Sequence, residues 1–99
     1  MPTFILATKL SHELTKNPSL REDIGKEWKN KISRICPNVK WLAHYALLGP
    51  YDFLDIYEAD SEEEAAKISM ITLSSGASVA ESWTAIPYKR FLKLIKDIS

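Results

Sequence analysis

Three side chains capable of acid–base chemistry lie in the middle of the chain: His44, Asp55 and Tyr57. A histidine can take up or release a proton near neutral pH, and a carboxylate beside it can orient its ring. Because a short turn separates the segments that carry His44 and Asp55, an antiparallel hairpin would bring the two within cross-strand reach. This cluster predicts either a general base for a small acidic substrate or a His–Asp contact that only satisfies buried polar groups. We favour the second interpretation.

A second candidate pair, Glu81 and Trp83, alternates along a later apolar segment. Trp83 can stack on a planar ligand with Glu81 as a further carboxylate, but packing in a core or interface is the commoner role of tryptophan and the one we favour. No His, Cys or carboxylate spacing suggests a metal site, and three glycines do not form a phosphate-binding loop, so we expect neither metal nor cofactor. The single cysteine, Cys36, is expected to be a small buried side chain at a helix end.

The elements that would position these residues follow one another regularly. Strands are predicted over 3–10, 39–48, 53–58 and 78–86. Helices are predicted from Asn17–Ser19 to the residue before Pro37, from a Ser61–Glu64 capping box to Gly76, and after Pro87. This order predicts one α+β domain over residues 1–99, a ferredoxin-like βαββαβ unit with a four-stranded antiparallel sheet, two helices on one face and an added C-terminal helix.

The register of the central hairpin decides which side chains share a face of the sheet. A two- or four-residue connection groups His44, Ala46, Leu48, Phe53, Asp55 and Tyr57 on one face, and Trp41, Ala43, Tyr45, Leu47, Leu54 and Ile56 on the other. A three-residue loop would separate His44 from Asp55. We prefer the register of a two- or four-residue connection, because it leaves Leu54 and Ile56 with the clean apolar set, which we expect to lie under the helices.

The face with His44 would then be open yet largely apolar, and such a face is typical of a protein interface. A second copy is the simplest partner, so we expect a homodimer or higher homo-oligomer that pairs sheet to sheet and can bind a small molecule between subunits. The alternative is a cofactor-independent oxygenase or isomerase that acts on a small acidic or planar substrate in that cavity.

Composition excludes several classes of protein. Thirteen basic and thirteen acidic residues give no net charge, which argues against nucleic-acid binding, and the apolar runs are too short to cross a membrane. We therefore expect a soluble, cytoplasmic protein. The last helix carries Lys89, Arg90, Lys93 and Lys96 opposite an apolar stripe of Phe91, Leu94, Ile95 and Ile98. Such a helix can touch an anionic surface, but we expect the stripe to pack on the domain.

The turn Gly49-Pro50-Tyr51-Asp52, followed by FLDIYEA and an acidic helix start, resembles the GYD-domain family of small bacterial and archaeal proteins. That family is named for a Gly-x-Tyr-Asp hairpin. The resemblance implies a dimeric, ferredoxin-like domain and brings no catalytic residues, because no activity is established for the family. In physical terms, Gly49 would supply backbone freedom, Asp52 would bond nearby N–H groups and Tyr51 would anchor the turn, with a ligand contact as the alternative.

Overall fold

A computed structural model describes all 99 residues of the chain. The elements, in chain order, are β1 (Thr3–Leu10), α1 (His12–Lys16), a 3₁₀ turn (Pro18–Leu20), α2 (Arg21–Ile35), β2 (Lys40–Ala46), β3 (Phe53–Glu58), α3 (Glu62–Ser74), β4 (Ala77–Ala85) and α4 (Tyr88–Asp97). The four strands form one antiparallel sheet in the order β2-β3-β1-β4. The expected α+β class with a ferredoxin-like βαββαβ order is confirmed.

Strand β1 lies inside the sheet because its sequence is apolar on both sides. Leu6 and Ala7 are consecutive residues on opposite faces, and neither has any solvent-exposed surface. This pattern is typical of a strand with neighbours on both edges. Strand β1 therefore holds β3 on one side and β4 on the other, and the edge strands β2 and β4 carry the more exposed residues.

Helices α2 and α3 cover one face of this sheet. Helix α3 begins after Ser61, whose hydroxyl oxygen accepts a hydrogen bond from the Glu64 N–H at 3.3 Å. It ends before Gly76, which takes a φ of +112° that residues with a Cβ rarely adopt. The predicted capping residue and terminal glycine of this helix are both confirmed. Its buried residues, Ala65, Ile68, Ile71 and Thr72, are those predicted from the sequence.

The core lies between these two helices and the sheet. From the sheet it includes Phe4, Leu6 and Tyr57, and the Phe4 and Tyr57 rings stack with centroids 5.7 Å apart. From the helices it includes Ile32 and Ile68, both without exposed surface. Cys36 also belongs to this cluster, as predicted, and burial raises the pKa of its thiol. Only 13 of the 99 residues are buried, which is a small core for a chain of this length.

Two helices differ from the sequence predictions. The short helix α1 is not among the predicted elements, although Ser11 marks its start and accepts a hydrogen bond from the Leu14 N–H at 3.4 Å. Helix α4 forms where predicted, but the expectation that its apolar stripe packs on the domain is wrong. No residue of α4 is buried; Phe91 is 45% exposed, and Ile98, which follows the last residue of the helix, is 85% exposed. The chain alone provides no surface that covers this stripe.

Candidate functional site

The central hairpin brings His44 and Asp55 together, as the preferred register predicts. His44 is the direct cross-strand partner of Asp55, and the His44 Nδ1 is hydrogen-bonded to the Asp55 Oδ1. Asp55 is 2% exposed, and this burial raises the pKa of its carboxyl although His44 and Lys29 act in the opposite direction. The buried Asp55 carboxylate therefore orients the imidazole ring of His44, a side chain that is 58% exposed.

The predicted side of the sheet for this pair is wrong. Asp55 and Tyr57 lie under the helices, and Tyr57 is part of the core with Ile32 and Ile68. Leu54 and Ile56, which we expected there, point to the open face and are only partly buried. The physical reason is size: the large Tyr57 ring fills the space between sheet and helices. His44, Asp55 and Tyr57 therefore cannot act in a cavity between two paired sheets.

Trp41 also departs from the predicted arrangement. The pairing between β2 and β3 shifts by one residue at Leu42, a β-bulge that leaves Leu42 without a cross-strand partner. This shift turns Trp41 to the same face as Tyr57, with ring centroids 5.3 Å apart. Trp28 of α2 lies on the other side of Trp41 at 5.4 Å. The sequence placed Trp41 and Tyr57 on opposite faces, because simple alternation contains no bulge.

A cavity of about 470 Å³ opens between α2 and the sheet, next to the His44–Asp55 pair. Trp28, Trp41 and Phe53 form aromatic walls, while Leu14 of the unpredicted helix α1 lies at one end. Gly25, in the second turn of α2, also lines the cavity. Sequence reasoning missed this cavity. The helical spacing of Ile24, Trp28 and Ile32 predicted a buried stripe but gave no sign that its first turns stand away from the sheet.

The open face of the sheet carries two adjacent rows of side chains that run across the strands and are apolar apart from Glu81. The first row consists of Ala43, Ile56, Ile5 and Trp83, and the second of Tyr45, Leu54, Ala7 and Glu81. Neither α2 nor α3 covers these residues. Tyr45 is 57% exposed and Trp83 is 40% exposed, so large aromatic surfaces contact solvent in the isolated chain. We call these two rows the open face.

Tyr51 connects the hairpin turn to the open face. Its hydroxyl donates a hydrogen bond to the Glu81 Oε1 at 2.9 Å, and its ring meets the Trp83 ring edge-on at 5.9 Å. Trp83 donates its own indole N–H to the same Glu81 oxygen at 3.0 Å. The bond to Glu81 raises the pKa of the Tyr51 hydroxyl. The turn residue Tyr51 and the candidate pair Glu81 and Trp83 thus form one cluster at the edge of the open face.

The other residues of the turn differ in what they do. The Asp52 Oδ2 accepts a hydrogen bond from the Leu10 N–H at 2.7 Å, where the β1–β4 pairing shifts. Asp52 therefore bonds backbone N–H groups, as expected, and holds the turn against the end of β1. The role predicted for Gly49 is wrong. Its φ is not positive, and a Cβ built on it would meet no atom within 4 Å.

The structure has neither a cluster of metal-binding side chains nor a membrane-spanning helix. No three His, Cys, Asp or Glu side chains converge in a way that could hold a metal ion. No helix has both the length and the apolar character needed to span a membrane.

Comparison with known proteins supplies the family. The sequence matches the family model of the GYD domain over residues 4–95, which is nearly the whole chain. The chain belongs to the GYD domain family. A relative from Thermus thermophilus is 30% identical over 100 residues, spanning 97% of this chain and all of that protein. It is named "Glutamine synthetase and cystathionine beta-lyase binding protein".

Two solved structures share the fold of this GYD-domain chain. The crystal structure of FFRP-DM1 superposes with a TM-score of 0.54 at 17% identity, covering 87% of this chain and 100% of that one. Protein Atu4242 from Agrobacterium tumefaciens superposes with a TM-score of 0.54 at 16% identity, covering 88% of this chain and 93% of that one. At this identity the likeness concerns the fold alone.

Proposed function

We propose that this protein is a homodimeric protein-binding module, two copies of which pair through their open faces. The observation that carries the proposal is the open face itself. Its central row places Ile56, Ile5 and Trp83 side by side with neither helix above them. An exposed apolar surface of this kind is typical of a protein interface, and a self-complementary face pairs most simply around a two-fold axis.

The shape of the isolated chain supports pairing. Its radius of gyration is 15.0 Å, whereas a compact chain of this length has about 13 Å. The long axis measures 52 Å and the short axis 17 Å, so the chain is a thin slab. A second slab laid on the open face would double the thickness and bury Trp83 and Tyr45 in a joint core. Helix α4, which follows β4 after a short connection, would then have a partner chain beside its apolar stripe.

The binding function rests on the relative from Thermus thermophilus. That protein is named for binding two enzymes, and its similarity to this chain extends over essentially the full length of both. On this similarity we propose that this chain also binds other proteins. In a paired molecule the open faces are occupied by each other, so the surfaces that remain for an enzyme partner are the outer faces of the helices.

The test of pairing compares two substitutions to lysine, one on the open face and one on helix α3. Ile5→Lys puts a charge in the middle of the open face, while Met70→Lys puts one on α3, where Met70 is already 60% exposed. We expect size-exclusion chromatography with light scattering to show a dimer for the unmodified protein and for Met70→Lys, and a monomer for Ile5→Lys. A dimer that survives Ile5→Lys unchanged would contradict pairing through this face.

The binding part has its own measurement. Purified glutamine synthetase and cystathionine beta-lyase from the source organism are immobilised separately, and the unmodified protein and Ile5→Lys are passed over each. We expect saturable binding of the dimer to at least one enzyme, and weaker binding of Ile5→Lys because it offers one copy of each contact instead of two. Absence of binding to both enzymes would contradict the carried-over function and leave the pairing result standing.

A further inference from the structure

The cavity between α2 and the sheet has the size and walls of a small-molecule site. Its volume of about 470 Å³ falls within the range of about 300–1,000 Å³ that is usual for such sites. Trp28 is held in place by the hydrogen bond from its indole N–H to the Thr72 Oγ1 at 2.8 Å, which Thr72 combines with a bond to the Ile68 carbonyl. Fixed aromatic walls of this kind favour a flat, aromatic ligand.

The His44–Asp55 pair supplies a directed hydrogen-bond acceptor at this cavity. An ionised Asp55 can only accept, so His44 donates from Nδ1 and leaves the lone pair of Nε2 available. The ring is further fixed by stacking on Phe53, with centroids 5.5 Å apart and planes 14° from parallel. Core packing does not explain a carboxyl on a residue that is 2% exposed, because burying a charge opposes folding.

The rim of the cavity is positively charged. Arg21, Lys26 and Lys29 of α2 line it against a single acidic residue of the same helix, Glu22. Glu22 lies 3.7 Å from the Lys26 ammonium and offsets that charge only in part, since both side chains are largely exposed. Apart from the His44–Asp55 pair, the lining therefore has an excess of two positive charges, which favours an anionic ligand.

Gly25 is the residue of α2 that leaves the cavity open. Glycine in the interior of a helix lowers stability relative to alanine, so sequences rarely use it without a packing or functional reason. No close packing requires it here, because a Cβ built at Gly25 would meet no atom within 4 Å. A longer side chain at this position would take up space in the cavity, which Gly25 lines together with Trp28, Trp41 and Phe53.

We propose that this cavity binds a small planar aromatic acid, a molecule with an ionised carboxylate and an acidic hydroxyl group on one ring. The ring lies between the aromatic walls, the hydroxyl donates a hydrogen bond to the His44 Nε2, and the carboxylate faces the Arg21 and Lys29 side chains. Asp55 holds the His44 ring in this orientation through the hydrogen bond to Nδ1. The site lies within one subunit, so it does not depend on the proposed pairing.

The experiment titrates 4-hydroxybenzoate into the ¹⁵N-labelled protein and follows the indole N–H signals of Trp28 and Trp41 by NMR. We expect saturable shifts of both, with a dissociation constant at or below about 1 mM for a ligand of this size. The neutral analogue 4-hydroxybenzamide is expected to bind at least about tenfold more weakly, since it lacks the charge that the rim attracts.

Two glycine variants make the matched control. Gly25→Leu is expected to abolish the titration, because its side chain fills the cavity, while leucine also suits a helix and so preserves the fold. Gly49→Leu places the same side chain in open space at the hairpin turn, away from the cavity, and is expected to bind like the unmodified protein. The double variant His44→Phe/Asp55→Asn is expected to weaken binding by about tenfold.

Three results would overturn the proposal. The first is the absence of saturable indole shifts with 4-hydroxybenzoate, and the second is equal binding by Gly25→Leu and the unmodified protein. The third is equal affinity for 4-hydroxybenzamide, which would show that the rim charge does not select an anion.

Discussion

Gly25→Ala tests whether there is open space beside the second turn of α2. Gly25 is exposed and lies inside the helix between Arg21 and Ile35, and a Cβ at this position would have no other atom within 4 Å. The added methyl group therefore creates no clash. It removes backbone freedom from the unfolded chain and improves helix propensity.

The open space beside Gly25 determines how much Gly25→Ala changes the free energy of unfolding. Because no packing is gained or lost, only the difference in helix propensity remains, about 0.8–1.0 kcal/mol in favour of alanine. For a chain of this size, each kcal/mol corresponds to roughly 4–8 °C in the melting temperature. We therefore expect Gly25→Ala to raise the melting temperature by about 3–8 °C.

Urea denaturation and thermal melting, both followed by circular dichroism, measure the change. The matched control is Ala66→Gly, an exposed position inside α3, which is expected to lower the free energy of unfolding by a similar amount. A loss of stability in Gly25→Ala would refute the reasoning, because it would show that the space beside Gly25 is filled.

Three other substitutions have expected effects on stability. Gly76→Ala should lower the free energy of unfolding by about 1–3 kcal/mol, since φ is +112° and the new Cβ would lie 2.6 Å from a Leu14 methyl carbon; a neutral result in urea denaturation would contradict this. Tyr57→Phe should raise the free energy of unfolding by about 1 kcal/mol, because the buried Tyr57 hydroxyl makes no hydrogen bond of ordinary geometry; a clear loss would show that the neighbouring Ser82 hydroxyl is a partner. Burial raises the pKa of Asp55 above its ordinary 3.8, so the protonated carboxyl is favoured in the folded state. The stability that this preference contributes is present in full below pH 3.8 and is lost as the pH rises through the folded-state pKa. Asn at this position does not titrate, so the free energy of unfolding of Asp55→Asn should increase relative to that of the unmodified protein as the pH rises. Denaturation curves at a series of pH values measure this difference, and a decrease with rising pH would contradict the prediction.

Much of the fold was predictable because local signals agreed with one another. Apolar runs and turn residues located β1 and β3 to the residue. The capping serine Ser61 and the terminal Gly76 bounded α3, because each satisfies a backbone requirement at a helix end. The pairing of His44 with Asp55 was predicted for a reason that the structure contradicts. The turn length was left open, and this register was preferred because it placed Leu54 and Ile56 under the helices, whereas both lie on the open face.

Hydrophobicity alone could not predict which face of the hairpin packs under the helices, because both faces are rich in apolar residues. Leu54 and Ile56 looked like the core, yet the space under the helices is filled by the larger Tyr57 and by Trp41, which the bulge at Leu42 turns inward. The cavity beside α2 depends on how far a helix stands from the sheet, a tertiary distance that side-chain spacing along one element does not contain.

The most direct test of pairing through the open face is the mass of the unmodified protein in solution. Sedimentation equilibrium over a range of micromolar concentrations should give twice the 11.3 kDa mass of the chain. Fluorescence quenching by acrylamide under the same conditions should show a protected Trp83 in a variant that retains it as the sole tryptophan. A mass of 11.3 kDa at every concentration, together with an accessible Trp83, would contradict the account.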